Sequence, residues 1–226
     1  MERVNFARLL ISKGADVQNI SARGWTPAFR LWYPWSSSIS LENLQLLSAA
    51  SFDNFDAQDA LGWSSAHRAA SYGKAEDILA LQRLNTSFTL LTSNLMWPPI
   101  FCAVQFGNVS TFHELRKACQ ELLIMTDARR WTLLHIAVNA GRLALIEDLM
   151  NLGADPHTQS LATEFLVPED LKNLSVTPGD IAKLRGPEVL STYIAALRAN
   201  GHKIELIKDE EDQTQDIFWE AENNTV

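Results

Sequence analysis

Short apolar runs alternate with polar residues and glycines along most of this chain, and each run is compatible with a short helix. Several runs begin two to four residues after a tryptophan. These tryptophans lie 38, 34 and 34 residues apart and are Trp25, Trp63, Trp97 and Trp131. A second apolar run follows in each unit; in the third unit its stripe begins at Val109 and has helical spacing. A recurrence of about 33 residues is typical of repeat proteins, so we predict stacked pairs of short helices.

One unit shows the pattern most clearly. Residues 131–137 read Trp-Thr-Leu-Leu-His-Ile-Ala, a turn follows at Gly141, and residues 153–155 read Gly-Ala-Asp. This order resembles ankyrin repeats, which typically read Asp-x-x-Gly-x-Thr-Pro-Leu-His-x-Ala, then a glycine turn, a second apolar helix and Gly-Ala-Asp. The unit has Arg130 where the family usually has glycine and Leu133 where it has proline. The geometry of its hairpin turn is therefore left open.

The resemblance covers about residues 4–200 and implies an all-α ankyrin-repeat solenoid of stacked helix-turn-helix units with short hairpin loops. We predict a half repeat at 1–20, a repeat with an aromatic insertion at 21–57, repeats at 58–92, 93–126 and 127–158, an insertion plus a divergent C-terminal capping repeat at 159–207, and an acidic tail at 208–226. The last residues also resemble the tails of ankyrin-repeat proteins from filamentous fungi.

Three segments depart from the regular pattern. Residues 31–35 read Leu-Trp-Tyr-Pro-Trp and either pack back on the array or form an exposed patch; packing is favoured because large exposed apolar patches are uncommon. The half repeat at 1–20 lacks its first helix and leaves apolar surface uncovered. We expect that the array extends upstream of Met1, and that the half repeat supports self-association. Residues 202–207 alternate weakly, like a short strand.

The charge of the chain is concentrated at its end. Residues 205–226 contain eight acidic residues and one basic residue, which is −7 of the total of −8. A nearly neutral body with an acidic tail argues against binding to nucleic acid or to an anionic membrane. Two cysteines are too few for a disulfide framework, and we do not expect a signal peptide in residues 1–11, which lack a continuous apolar core. We therefore expect an intracellular protein, cytoplasmic or nuclear.

The sequence shows no arrangement of residues that is typical of an enzyme. His67 and His135 occupy the histidine position of the repeat, two units and roughly 16–20 Å apart, which is too far for a shared metal. The resemblance implies that each imidazole ties one turn to the next. His113 and Cys119 do not share a helical face, so a nucleophile pair is not expected. We predict no catalytic activity, no metal and no cofactor.

The tryptophans are the strongest candidates for a binding role. In the ankyrin layout their position lies at the base of the hairpin and faces the concave groove, where aromatic residues often dominate binding energy. Covering the neighbouring repeat is an equally good interpretation, and the two are compatible. The predicted partner-binding residues are Trp25, Trp63, Trp97, Trp131, Leu61, Tyr72, Phe106, Arg129 and Asn139.

The function that the resemblance implies is a protein-protein interaction module, which binds another protein through the concave face. The alternative is a targeting or regulatory arm of a larger multidomain enzyme, of which this chain is the C-terminal part. Residues 217–219, Ile-Phe-Trp, either fold back over the terminal repeat, which is favoured, or form a linear peptide for another protein.

Overall fold

The computed structural model describes residues 2–32 and 40–202, in which the regular secondary structure consists of helices joined by turns and loops, with no β-strand among these residues. Its ten α-helices are α1 (Glu2–Ser12), α2 (Ser40–Ala49), α3 (Ser65–Tyr72), α4 (Ala75–Arg83), α5 (Pro99–Phe106), α6 (Val109–Ala118), α7 (Leu133–Asn139), α8 (Leu143–Asn151), α9 (Pro178–Leu184) and α10 (Pro187–Ala199). Short 3-10 helices lie at Pro27–Arg30, Gln120–Ile124 and Glu169–Leu171. The all-α prediction is confirmed.

The helices pack in two layers. Helices α3, α5, α7 and α9 form the first layer, in which each helix contacts the next, and the 3-10 helix Pro27–Arg30 extends it by packing on α3. The second layer contains α1, α2, α4 and α6, which contact one another in that order, and the packed pair α8 and α10. Each first-layer α-helix also packs against the helix that follows it. The architecture is the predicted solenoid of helical hairpins.

One continuous hydrophobic core runs between the two layers, from Ala28 in the first complete unit to Leu197 in α10. Its largest fully buried side chains include Trp32, Phe101 and Phe112. Trp32 is 0% exposed and Leu31 8%, so these two members of the aromatic cluster pack into the array, as predicted. The remaining residues of the cluster, 33–35, lie outside the described residues.

The helices begin and end at residues suited to these positions. The side chains of Thr132, Asn108 and Thr177 each accept a hydrogen bond from the backbone N–H three residues later, which satisfies a donor that the first helical turn leaves free. Pro178 lies in the first turn of α9, where its missing N–H costs nothing. Helix α5 ends at Gly107, whose φ of 72° is the left-handed conformation that glycine adopts most easily.

The chain before each complete helical unit is closed by the same pair of hydrogen bonds, which occurs five times. A polar residue opens the turn: its N–H donates to the carbonyl of the closing residue at 2.9–3.0 Å, and its side-chain oxygen accepts from the N–H of that residue at 3.0–3.1 Å. The pairs are Ser21 with Trp25, Asp59 with Trp63, Thr92 with Trp97, Asp127 with Trp131, and Ser160 with Val176. All four predicted tryptophans therefore close such a turn.

The turn geometry is kept where the sequence departs from glycine. Gly24 and Gly62 have φ values of 77° and 78°, and Met96 and Arg130 occupy the matching position with φ values of 56° and 59°. The replacement of glycine by Arg130 therefore leaves the left-handed turn in place. In the fifth turn the insertion, residues 161–175, lies between Ser160 and its closing partner.

Neighbouring turns are joined by backbone hydrogen bonds. Ser93 N–H donates to the carbonyl of Leu61, Ala128 N–H to Leu95, and Leu161 N–H to Arg129, at 2.9–3.1 Å. These bonds satisfy backbone groups at the turn tips and fix the position of each turn against the next.

The two ends of the array agree with the predictions in part. In the half repeat, Leu9 and Leu10 of α1 are 51% and 44% exposed, so apolar surface is uncovered as expected. Continuation of the array and self-association stay predictions. Helix α10, the last helix that the structure describes, ends at Ala199. Of the predicted strand at 202–207, only His202 is described and it is not in a strand; the acidic tail lies outside the described residues.

Two glycines test how strongly one turn depends on its neighbour. A Cβ atom on Gly62 would lie 2.6 Å from the backbone nitrogen of Ser93, whereas a Cβ atom on Gly153 would meet nothing within 4 Å, although both residues have positive φ. We expect Gly153→Ala to lower the free energy of unfolding by about 1 kcal/mol, and Gly62→Ala to lower it by about 3 kcal/mol or more, because it adds a backbone clash to the same strain. Urea denaturation followed by circular dichroism measures both; equal losses would contradict the prediction.

Candidate partner-binding groove

The four tryptophans have equivalent places in their turns but differ in exposure. Trp25 and Trp63 are half-buried, whereas Trp97 is 9% and Trp131 1% exposed. The difference in exposure between the four rings follows from the carboxylate and guanidinium groups that contact each of them. The sequence placed all four at one position of the repeat, but it did not show which rings remain on the surface.

Trp97 connects three consecutive units. Its indole Nε1–H donates to Asp127 Oδ2 at 2.9 Å, and its carbonyl accepts a hydrogen bond from His67 Nε2 at 2.9 Å. Its backbone N–H donates to Thr92. The prediction that Trp97 serves as a surface anchor is therefore corrected: the indole N–H is occupied within the protein and the ring is buried.

Trp131 lies beneath a buried ion pair. Arg129 donates from Nε and NH2 to Asp127 Oδ2 at 3.0 and 2.6 Å, and its guanidinium carbon lies 4.0 Å from the centroid of the Trp131 ring. Arg129 NH1 also donates to the carbonyl of Leu166 in the insertion, at 2.7 Å. Arg129 and Trp131 are 4% and 1% exposed, so the assignment of both as partner-contacting residues is corrected.

The two buried histidines connect neighbouring turns, as the resemblance implied. Ser64 N–H donates to His67 Nδ1, so His67 Nε2 carries the proton and donates to the carbonyl of Trp97. His135 repeats this arrangement: it accepts from the N–H of Thr132 and donates to the carbonyl of Val176 at 3.2 Å. Both side chains are fully buried, and burial lowers the pKa of each to about 4.

The two cysteines, Cys102 and Cys119, are also buried in the hydrophobic core. Cys102 is fully buried in α5, and burial raises the pKa of its thiol to about 12. Burial likewise raises the pKa of Cys119. Across residues 2–32 and 40–202, no three His, Cys, Asp or Glu side chains lie together as a metal site would require. In the same residues, no helix has the length and apolar character of a membrane span.

Three aromatic side chains remain on the surface of the first layer and contact one another. The rings of Trp63 and Phe106 pack edge to face with centroids 6.4 Å apart, and those of Tyr72 and Phe106 with centroids 4.9 Å apart. Tyr72 and Phe106 are the last residues of α3 and α5, and Phe106 is 39% exposed. Here the structure brings together three residues that the sequence predicted separately.

Three arginines surround the half-buried tryptophans, and the sequence analysis did not single them out. The guanidinium carbons of Arg23, Arg30 and Arg68 lie 5.8, 4.9 and 5.7 Å from the Trp25 ring centroid. Arg68 also lies 5.1 Å from the Trp63 ring, so it joins Trp25 to the aromatic trio. We call this surface the aromatic–arginine patch; its members are Trp25, Trp63, Tyr72, Phe106, Arg23, Arg30 and Arg68.

The other two predicted groove residues lie at the edges of the first layer. Leu61 is at the tip of the second turn and is 56% exposed. Asn139, the last residue of α7, is half-buried, and its Oδ1 accepts hydrogen bonds from Nε and NH2 of Arg185 at 3.0 and 2.9 Å. Arg185 also pairs with Asp170 of the insertion at 2.5 Å. Asn139 therefore helps to hold the insertion beside the groove.

Stacked helical hairpins joined by hydrogen-bonded turns define this chain as a helical-repeat protein. The family model described as Ankyrin repeat matches residues 129–161. Alpha-latrotoxin-Lg1a of Latrodectus geometricus is 28% identical over 136 residues, which are 60% of this chain and 10% of that protein. The chain thus spans about a tenth of the length of this relative. Residues 129–161 are thus similar to an ankyrin repeat, and the described helical hairpins on either side of them have the architecture expected of an ankyrin-repeat solenoid.

Asp127 and Asp59 provide a matched test of the buried ion pair. In each residue Oδ1 accepts two backbone N–H groups, but Asp127 faces Arg129, whose side chain is 5% exposed, whereas Asp59 faces Arg68, which is 18% exposed. We expect Asp127→Asn to lower the free energy of unfolding by about 3–5 kcal/mol, since it leaves a buried charge unpaired. Asp59→Asn should cost roughly 1 kcal/mol. Urea denaturation compares them; a larger loss for Asp59→Asn would refute the assignment.

The buried histidines predict a pH dependence of stability. The pKa of each is about 4 in the folded protein and about 6.5 when unfolded. The unfolded chain therefore binds more protons between these values, and stability falls as the pH drops from 6.5 to 4, by roughly 3 kcal/mol for each imidazole. Three carboxyls with lowered pKa, Asp155, Asp170 and Asp180, lose their contribution only below their ordinary pKa of 3.8.

Denaturation at intervals between pH 7 and 4 measures this loss, and NMR titration of the imidazole Cε1–H signals measures the pKa values directly. Stability that does not change over this window, or ordinary titration of both rings, would refute the prediction.

Proposed function

We propose that this protein binds a partner protein through the concave face of its first helical layer, and that the aromatic–arginine patch is the centre of the contact. The observation that carries the proposal is the exposed contact of Phe106 with Trp63 and Tyr72. The ankyrin family supports interaction with proteins in general.

The patch has the physical properties of an interaction hot spot. Its aromatic side chains are held in place by one another, so binding would restrict little additional side-chain freedom. Phe106 is 39% exposed in the free protein and offers apolar area for burial. Tryptophan, tyrosine and arginine are the residues that most often dominate interface energies, by about 2 kcal/mol or more at a hot spot.

The predicted binding residues divide into two groups. Trp25, Trp63, Leu61, Tyr72 and Phe106 are the residues that we propose contact the partner, with Asn139 at the edge. Trp97, Trp131 and Arg129 support this surface from within, because they hold consecutive turns in register. Substituting the second group would affect binding only by disturbing the fold.

The second proposal is that the chain forms a targeting or regulatory arm of a larger protein. The observation that favours it is the match to a relative in which the similar stretch is 10% of the length. The exposed Leu9 and Leu10 of α1 agree with a further helix packing there, from the same protein or from a second copy. An intracellular location is likewise a proposal, which rests on the two cysteines.

Phe106→Ser tests the proposed function, with Leu152→Ser as its matched control. Phe106 is 39% exposed at the end of α5 in the first layer, and Leu152 is 40% exposed at the end of α8 in the second layer. We expect peptides selected from a displayed library on the unaltered protein to bind Phe106→Ser at least tenfold more weakly, because the substitution removes the central ring. Their affinity for Leu152→Ser should stay within twofold.

Biolayer interferometry measures both affinities, and circular dichroism establishes that both variants are folded. Selected peptides that lose affinity for Leu152→Ser but keep it for Phe106→Ser would place the binding surface on the second layer and overturn the proposal.

A further inference from the structure

We propose that the partner segment carries a carboxylate beside an apolar side chain, and that Arg142 binds this carboxylate while Phe106 packs on the apolar side chain. This inference rests on the proposed function, since it names the chemistry of a partner for the same surface. Arg142 lies in the turn between α7 and α8 and is not one of the arginines that surround Trp25. It extends the aromatic–arginine patch by one unit beyond Phe106.

The side chain of Arg142 lies beside the end of helix α5. Its Nε–H donates to the carbonyl of Gln105 at 3.0 Å. A Cβ atom on Gly107 would lie 2.9 Å from Cδ of Arg142 and 3.5 Å from Cζ, so the side chain lies across this glycine. Gly107 directly follows Phe106, whose ring is exposed. The guanidinium is therefore fixed beside the helix end that carries the central ring of the proposed contact.

The terminal nitrogens of Arg142 are available to a ligand. Arg142 is half-buried, but across residues 2–32 and 40–202 its Nη1 and Nη2 form no hydrogen bond or ion pair, and neither is a buried atom. A guanidinium presents its N–H groups in a planar fork, which binds both oxygens of a carboxylate at once. Because the Gln105 carbonyl already holds Nε, little side-chain freedom remains to be lost when a carboxylate binds.

Arg185 shows within the same protein how an arginine binds a carboxylate at this edge of the array. Its Nε–H donates to Oδ1 of Asn139, which lies 34 residues, or one repeat, after Gln105. Its terminal nitrogens bind the carboxylate of Asp170, from Nη1 to Oδ2 at 2.5 Å and from Nη2 to Oδ1 at 3.2 Å. Asp170 belongs to the insertion, and Arg142 receives no such carboxylate from the described residues. We therefore assign this group to the partner.

The charge of this surface favours an acidic partner. Residues 65–74, 99–108 and 133–142 form helices α3, α5 and α7 and the turns that follow them. Together these residues include three basic side chains and no acidic one. Arg68 is paired with Asp59, whereas Arg142 and the exposed Lys74 form no ion pair within the part of the chain that the structure describes. A negative charge on the partner would therefore speed association and fix its orientation.

The probe is a peptide selected from the displayed library on the unaltered full chain. We expect the selected peptides to share an Asp or Glu close to an aromatic or aliphatic residue. Changing that acidic residue to Asn or Gln should weaken binding to the unaltered protein about tenfold, because a charge-assisted pair is lost. On Arg142→Gln the same change in the peptide should alter the affinity by less than about twofold, because the pair is already absent.

Arg198→Gln is the matched control. Arg198 is exposed near the end of α10, in the second layer, and forms no ion pair among the described residues. Binding to this variant should still depend on the acidic residue of the peptide about tenfold. Arg142→Lys keeps the charge but cannot donate two parallel hydrogen bonds, so its loss of affinity should be intermediate. Biolayer interferometry measures the affinities, and circular dichroism establishes that the variants are folded.

A measurement on the unaltered protein does not depend on how well Arg142→Gln folds. The Nε–H signal of Arg142, assigned in the NMR spectrum by its loss in Arg142→Lys, reports directly on the guanidinium. We expect this signal to shift when the acidic peptide is added. Its Asn or Gln form, added to the same fraction bound, should leave the signal in place.

Three outcomes would overturn the proposal. Selected peptides without a recurrent acidic residue would show that the surface does not select for a carboxylate. Equal dependence on the acidic residue in the unaltered protein and in Arg142→Gln would place the carboxylate elsewhere. Dependence that disappears in Arg198→Gln instead would place it on the second layer. In each case the peptides would still bind through Phe106, whereas failure of the proposed function would appear in the comparison of Phe106→Ser with Leu152→Ser.

Discussion

The array depends on the way in which a polar side chain closes each turn. Where the chain reverses between units, backbone N–H and C=O groups are carried toward the interior and need partners. Ser21, Asp59, Thr92, Asp127 and Ser160 provide the same solution: each accepts the N–H of the residue whose carbonyl its own N–H binds. Because the closing residue is fixed from both sides, the helix that follows begins at a defined place, and successive first-layer helices can stack.

The same constraint decides which tryptophans remain on the surface. At the fourth turn Asp127 has a second oxygen that is not needed for turn closure, and this oxygen binds the indole of Trp97 and the guanidinium of Arg129. Arg129 then covers the Trp131 ring. The same carboxylate thus holds the Trp97 indole directly and the Trp131 ring through Arg129. At the second turn the second oxygen of Asp59 binds Arg68, which comes from α3 and lies beside Trp25 and Trp63 without covering them. The tryptophan beside an arginine from the turn itself, Arg129, is therefore buried. The tryptophans beside an arginine from a helix, Arg68, stay partly exposed.

The sequence predicted the fold well because its main signals are local. The spacing of the tryptophans and the glycine turn at Gly141 depend on neighbours within one unit, and helices α7 and α8 lie on either side of Gly141 as these signals predict. It predicted the site less well. Exposure of Trp131 depends on Asp127 and on the Arg129 contact with Leu166, 37 residues further along, which no local pattern reveals. The common role of Ser21, Thr92 and Asp127 was also missed, because three residue types supply the same acceptor.

The buried tryptophans and the exposed Phe106 occupy different positions of the repeat. Trp97 and Trp131 are buried. The fourth unit is joined to the third by the hydrogen bond from Trp97 to Asp127 and to the fifth by the hydrogen bond from His135 to Val176. The ends of α3 and α5 carry Tyr72 and Phe106, whose rings pack on each other and on Trp63. A half-exposed side chain at a helix end, such as that of Phe106, can vary without opening the core between the layers. A surface residue at a helix end can therefore change while the turns that stack the units stay closed.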